Sequence, residues 1–254
     1  MALSFSCNQK VYLYDGSFEG LLSIVFDCYV QKQIPSHIIE EKQYIPNLLD
    51  TVETYHTDYT KAERIFHGIL KSISYQTLYE NYYAFLANVP EKEMSILLYL
   101  LNGFSIGPKI NTMLSLDFVF QVHSLRKKML SEAHKLKGLL RFKEVGDNLF
   151  YACIHPTHNV TENVGQHFVR RLPHQNFIIH DATDRGLLFL YNTHQYQIQS
   201  DKNFIVPSIS EREKEYQQLW KTFFQTIAIE ERKNPRLQMQ FMPKKYWKDL
   251  VELS

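Results

Sequence analysis

Cysteine is scarce in this 254-residue chain: Cys7, Cys28 and Cys153 are three in number and far apart, with no Cys-x-x-Cys pair. That excludes a disulfide framework, a four-thiolate zinc site and an iron–sulfur cluster as organising devices, and it suits a reducing, cytoplasmic setting. Charge of one sign is lacking too. Lys plus Arg number 28 against 27 acidic residues, a net +1, whereas proteins that coat nucleic acid without specificity carry a basic excess. Any phosphate-binding surface must therefore be local. Long apolar runs are missing: "LLSIVF" and "ILLYLL" are far too short to span a bilayer, so no membrane partner is expected. The N-terminal stretch "MALSFSCNQKVYLYDG" has neither a cationic start nor a long apolar segment and does not read as a signal peptide. None of G-x-x-x-x-G-K-[ST], G-x-G-x-x-G or G-x-S-x-G occurs, which removes the usual support for nucleotide-triphosphate, dinucleotide and hydrolase chemistry. No Gly/Ser linker or internal repeat divides the chain, so one α+β domain over residues 1–254 is expected.

Aromatic residues are plentiful, with 17 Phe and 16 Tyr, and most should fill cores. "KVYLYDGSFEGLLSIVF" reads as strand, tight turn at Asp15-Gly16, and helix capped by Ser17. Thr60-x-x-Glu63 has the form of a capping box, Ser74 can start the next helix, Pro90-Glu91 a third, and Gly103 should stop it. The spacing of Leu114, Phe118, Val122, Leu125, Met129 and Leu136 predicts a long helix over about 112–137, ended by Gly138. The first 137 residues or so are thus helix-rich after one opening strand. From about 138 to 192 the pattern becomes hairpin, helix, hairpin: strands around Gly146-Asp147, a helix near 161–171, and strands flanking a five-residue loop after Asp181. This predicts a small antiparallel sheet from two hairpins. The C-terminus, over about 208–254, is expected to be helical. Placing "PKKYWKDLVEL" on a helix puts Tyr246, Trp247, Leu250 and Val251 on one stripe and Lys244, Lys245 and Lys248 opposite, which favours buried anchors over a base-stacking platform.

Candidate chemistry is sparse. Asp15 and Glu19, where a strand delivers a carboxylate onto a helix N-terminus, are catalytic candidates, as is the His180-Asp181 pair at a strand end. His155, His158, His167 and Asp181 hold metal-ligand residue types, but His155 and His158 flank Pro156-Thr157 on a turn, and no metal or other cofactor is expected. "GFSIGPK", with Lys109, is a weak match to a glycine-built phosphate loop, since its glycines stand four apart. Arg141 and Lys143 fall on one face of a predicted strand. Together with Arg170, Arg171, Arg236, Lys244 and Lys245 they make the expected local basic surface.

The stretches "YLYDGSFEGLL", "YAFLANVPEKEMSILLYLLNGFSIG", "LLRFKEV", "HFVRRLP" and "LWKTFFQTIAI", in this order, resemble a bacterial family whose members carry DNA-metabolism and DNA-repair labels. The resemblance implies a link to a neighbouring radical SAM protein and, in other proteins, to a uracil-DNA-glycosylase-like domain. This chain has neither a three-cysteine radical SAM cluster nor a fused glycosylase region, so the resemblance assigns it no catalytic residue. Three functions stand as expectations: an accessory protein of DNA metabolism or repair that binds DNA, the radical SAM partner, or both; an enzyme on nucleic acid or nucleotides; and a purely structural interaction module.

Overall fold

The structure, a computed structural model, describes residues 5–253. Met1–Ser4, the beginning of the stretch read against a signal peptide, and Ser254 lie outside the described residues. The chain divides into two compact units, Met1–Met129 and Leu130–Ser254. The mixed helix-and-strand composition matches the α+β expectation.

The first unit runs β1 (Ser6–Cys7), β2 (Lys10–Tyr14), α1 (Phe18–Gln31), β3 (Gln33–Ile34), β4 (His37–Glu40), β5 (Thr51–Thr54), α2 (Tyr59–Ser72), α3 (Tyr75–Phe85), α4 (Lys92–Ile106), a 3₁₀ segment at Gly107–Thr112 and the start of α5 (Asp117–Leu139). β2 lies between β4 and β5, parallel to both. Four of its five residues, Val11 to Tyr14, are buried. Both faces of this strand are therefore covered, as parallel sheets require. The four additional strands correct the expectation of a single opening strand. They span two to four residues each, too short for an alternating apolar pattern to register.

Caps decide where the helices begin. Ser17 accepts from Gly20 N and Ser74 from Thr77 N, as expected. α2 begins differently: Asp58 accepts from Thr60 N and Lys61 N, so Thr60 lies inside the helix and the Thr60–Glu63 capping box is not used. Gly103 does not stop α4. It is buried within the helix, where a Cβ would come 2.8 Å from Ile73 Cδ1, and the chain turns at Gly107, at φ +75°. α5 starts at Asp117 because residues 107–112 are already wound as 3₁₀. Among the described residues no helix is long and apolar enough to cross a membrane.

The second unit takes the rest of α5, then β6 (Lys143–Gly146), β7 (Leu149–Ile154), α6 (Thr161–Arg171), β8 (Asn176–Asp181), β9 (Leu187–Tyr191), β10 (Tyr196–Ser200), α7 (Glu211–Thr226), α8 (Pro235–Phe241) and a closing 3₁₀ segment, Lys244–Asp249. Both expected hairpins form, β6–β7 and β8–β9, each antiparallel. They join through a parallel β7–β8 pair, Leu149–Ile154 against Asn176–Asp181, so the sheet is mixed. The physical reason is α6, which crosses between them and brings β8 back in the direction of β7, as a β–α–β unit does. β10 adds a fifth strand outside β9. It escapes sequence reading because all five of its residues are exposed. α6 can lie close on the sheet because Gly165 has no side chain: a Cβ there would come 2.3 Å from Phe189 Cδ2.

Candidate functional site

In the second unit, the last turns of two helices bring basic residues together. Lys137 ends α5, and Arg170 and Arg171 end α6. Each helix C-terminus carries partial negative charge, which makes cations favourable there locally. The result is a cluster of like charge. Burial lowers the Lys137 ammonium from its ordinary range, and Arg170 beside it lowers it further. His167, on the same helix as the arginines, is lowered first by burial and then by Lys137, Arg171 and Arg170. Among the described residues no ion pair is formed by Lys137, Arg170 or Arg171. The arrangement is a concentrated positive field without a fixed counterion, suited to an anion with several charged oxygens.

The remaining basic candidates are placed otherwise. Arg141 precedes β6 instead of lying on it, and its guanidinium clasps Glu252, with Nη2 2.6 Å from Oε1 and Nε 3.4 Å from Oε2. Lys245 donates to Glu132 and to Thr157 Oγ1. Lys244 stands over the Trp247 ring at 5.9 Å. Lys143 is half-buried on β6, and Arg236 is exposed on α8. Lys109, in the first unit, is exposed on the 3₁₀ segment. Nearby, Gly107 N donates to Gly103 O, so that N–H is used within the chain. The C-terminal anchors are Tyr246, Leu250 and Val251, all buried, while Trp247 is half-buried and donates from Nε1 to Met242 O.

Glu132 organises this unit. It is 7% exposed, and its carboxylate accepts from Thr157 N at 3.0 Å, His158 N at 2.7 Å, the Tyr246 hydroxyl at 2.8 Å and Lys245 Nζ. Burial by itself would raise this carboxyl; the four donors outweigh it and bring it down to about 2.

The histidines and acids divide into separate networks. Asp181 is fully buried and accepts from Thr183 N and Oγ1, Thr161 Oγ1 and Arg185 Nε. It ties the β8–β9 loop to the start of α6. His180 meets the Tyr151 hydroxyl through Nδ1 at 2.8 Å and packs edge-on against Phe204. Burial lowers its pKa. His155 does not join His158, His167 and Asp181; it faces Cys153 and Asp249.

A second candidate site lies in the first unit, at the carboxyl end of the parallel sheet. The second of these strands in sequence, β4, lies on one side of β2 and the third, β5, on the other. The loops after β2 and β5 therefore meet where open parallel sheets bind ligands. Here Thr57 Oγ1 donates to Asp15 Oδ2 at 2.6 Å, while Ser17 donates to Asp15 Oδ1 from both N and Oγ. Burial would raise the Asp15 carboxyl, but these hydrogen bonds hold it below its usual range. Asp15 is thus an ionised turn-former. Among α1, α2 and α3 opens a groove of about 660 Å³ whose walls include Phe18, Glu19, Tyr59, Glu63, Tyr75 and Tyr79. Aromatic walls with two carboxylates suit a planar ring carrying N–H donors. Sequence reading found Glu19 but not the groove, because its tyrosines come from different helices and converge only on folding.

α7 presents one further surface. Tyr216, Leu219, Trp220, Phe223 and Ile227 recur at helical spacing, and all are at least 42% exposed. These side chains leave apolar surface open to solvent along α7 and its C-cap, Ile227.

A family model described as a domain of unknown function, DUF4130, matches residues 90–252. No curated protein and no solved structure matches the chain.

Proposed function

Because the chain belongs to the DUF4130 family, a family of unknown function, membership hands it no activity, and we propose that it is an accessory protein of DNA metabolism or repair that contacts the DNA backbone. The observation that carries this reading is the cluster of Lys137, Arg170 and Arg171 without ion pairs, with His167 depressed among them. Cations held together against their own repulsion gain most when an anion arrives, and a phosphate backbone supplies anions at regular spacing. The sequence resemblance to DNA-linked proteins supports DNA as that anion, and it makes a radical SAM protein the candidate to cover the apolar stripe of α7. Chemistry on DNA then belongs to the partner.

Anisotropy titrations of labelled duplex and single-stranded DNA over a range of salt concentrations test the reading. Three phosphate contacts predict a slope of log K against log salt of about −2.7 on duplex DNA, flattened by about 0.9 for each of the three cations replaced by Ala. Binding that ignores salt, or no binding with or without the radical SAM partner, removes the DNA role and leaves protein–protein interaction.

A second reading, an enzyme on nucleic acid or nucleotides, is favoured by the groove among α1, α2 and α3, where Glu19 and Glu63 share the lining with aromatic walls. Nucleosides quenching the tyrosine fluorescence, with the effect abolished by Glu19→Gln, would support it. Indifference to every nucleoside would end it.

A further inference from the structure

Cys153 is the penultimate residue of β7, and His155 comes directly after the strand. Residues two apart on a strand project to the same side. Across from them stands Asp249, the last residue of the closing 3₁₀ segment. His155 Nδ1 lies 3.0 Å from Asp249 Oδ2 and 4.0 Å from Cys153 Sγ. All three donor atoms fall within 4.8 Å of one another. Among the described residues no other set of three His, Cys, Asp or Glu side chains converges in this way.

We propose that Cys153, His155 and Asp249 form a binding site for a transition-metal dication of the zinc class. Tetrahedral zinc with its usual bond lengths separates a thiolate from an imidazole nitrogen by about 3.6 Å, and that nitrogen from a carboxylate oxygen by about 3.3 Å. The two distances present each differ from these by less than half an ångström, within reach of rotamer adjustment. Thiolate and imidazole select zinc, cobalt or copper over magnesium and calcium. A thiolate and a carboxylate balance the charge of a dication, and three protein donors leave a fourth position for water. The side chains of His155 and Asp249 are 24% and 18% exposed, so an ion can reach them. Tyr151, whose hydroxyl binds His180 at 2.8 Å, neighbours the thiol and is placed to orient it from outside the ligand set.

The same geometry argues against a cysteine nucleophile driven by a His–Asp pair. Such a relay needs the thiol on one ring nitrogen and the carboxylate on the other. Here both face Nδ1.

Cobalt is the probe. Chelator-treated full-length protein titrated with Co²⁺ should show a thiolate-to-cobalt charge-transfer band and the visible bands of a four-coordinate ion, saturating at one equivalent and displaced by Zn²⁺. Cys153→Ser should abolish the band. His155→Ala and Asp249→Asn should each weaken binding by at least about tenfold, the cost of even an outer-shell change. Cys7→Ser, which alters the exposed thiol, should leave the band intact. Absence of the charge-transfer band, or a band that survives Cys153→Ser, overturns the proposal. If Cys153→Ser fails to fold, zinc-edge absorption of the wild-type protein decides: one sulfur ligand with nitrogen and oxygen supports the site, and a shell without sulfur refutes it.

Discussion

Replacing Glu132 by Gln keeps the shape of the side chain but removes its charge, and the consequences depend on pH. The carboxylate receives four donors. Gln offers one carbonyl oxygen, and its NH₂ turns toward groups that are themselves donors, leaving some without an acceptor. A carboxyl lowered from 4.5 to about 2 contributes about 3 kcal/mol to stability at neutral pH, at about 1.4 kcal/mol per pH unit. Its folded-state pKa lies below its unfolded value. The contribution is therefore complete above about pH 4.5 and is lost as pH falls toward 2. Integrating the linkage to pH 3 removes about 2 of those 3 kcal/mol from the wild type, while Glu132→Gln has nothing to titrate there. Urea denaturation of both proteins should give a gap of about 3 kcal/mol at pH 7 that narrows to about 1 kcal/mol at pH 3. An equal gap at both pH values, or one below about 1 kcal/mol at pH 7, would refute the reasoning.

Other predictions concern fold and surface. Asp58→Ala should cost about 1 kcal/mol through loss of the α2 cap, and Thr60→Ala should be nearly neutral; the reverse order in thermal melts would restore the capping box. Gly165→Ala should destabilise by about 1–3 kcal/mol, because its Cβ would overlap the Phe189 ring and force α6 from the sheet. Calorimetry showing no loss would contradict that packing. Lys137→Ala should raise the pKa of His167, as the removal of a neighbouring cation must, and an NMR titration showing no movement would break up the cluster.

The sequence disclosed elements wherever a local pattern carried them. The Ser17 and Ser74 caps, the Gly146-Asp147 hairpin and the five-residue loop between β8 and β9 each rest on a few adjacent residues with specific turn or cap chemistry. Failures came where partners are distant in sequence. Nothing near β7 announces that α6 will return β8 parallel to it. The site divides in the same way. Arg170 and Arg171 are adjacent and easily noticed, but Lys137 joins them only when the ends of α5 and α6 come together. Arg141 and Lys245 look equally basic in sequence, yet Glu252 and Glu132, 111 and 113 residues away, take up their charge. For His155 the signal was present in part: the histidine was legible, but Asp249, 94 residues distant, was not.

The most direct test of the basic cluster as a DNA-binding surface is the pKa of His167, followed by NMR through its imidazole resonances as duplex DNA is added. Burial first, and then Lys137, Arg171 and Arg170, hold it below the ordinary range, and phosphates seated among the cations would offset their share. The His167 pKa should therefore rise on DNA binding, and DNA affinity should accordingly increase as pH falls through it. DNA that binds while leaving the His167 pKa unmoved would place the contact elsewhere and contradict the assignment of this cluster to the phosphate backbone.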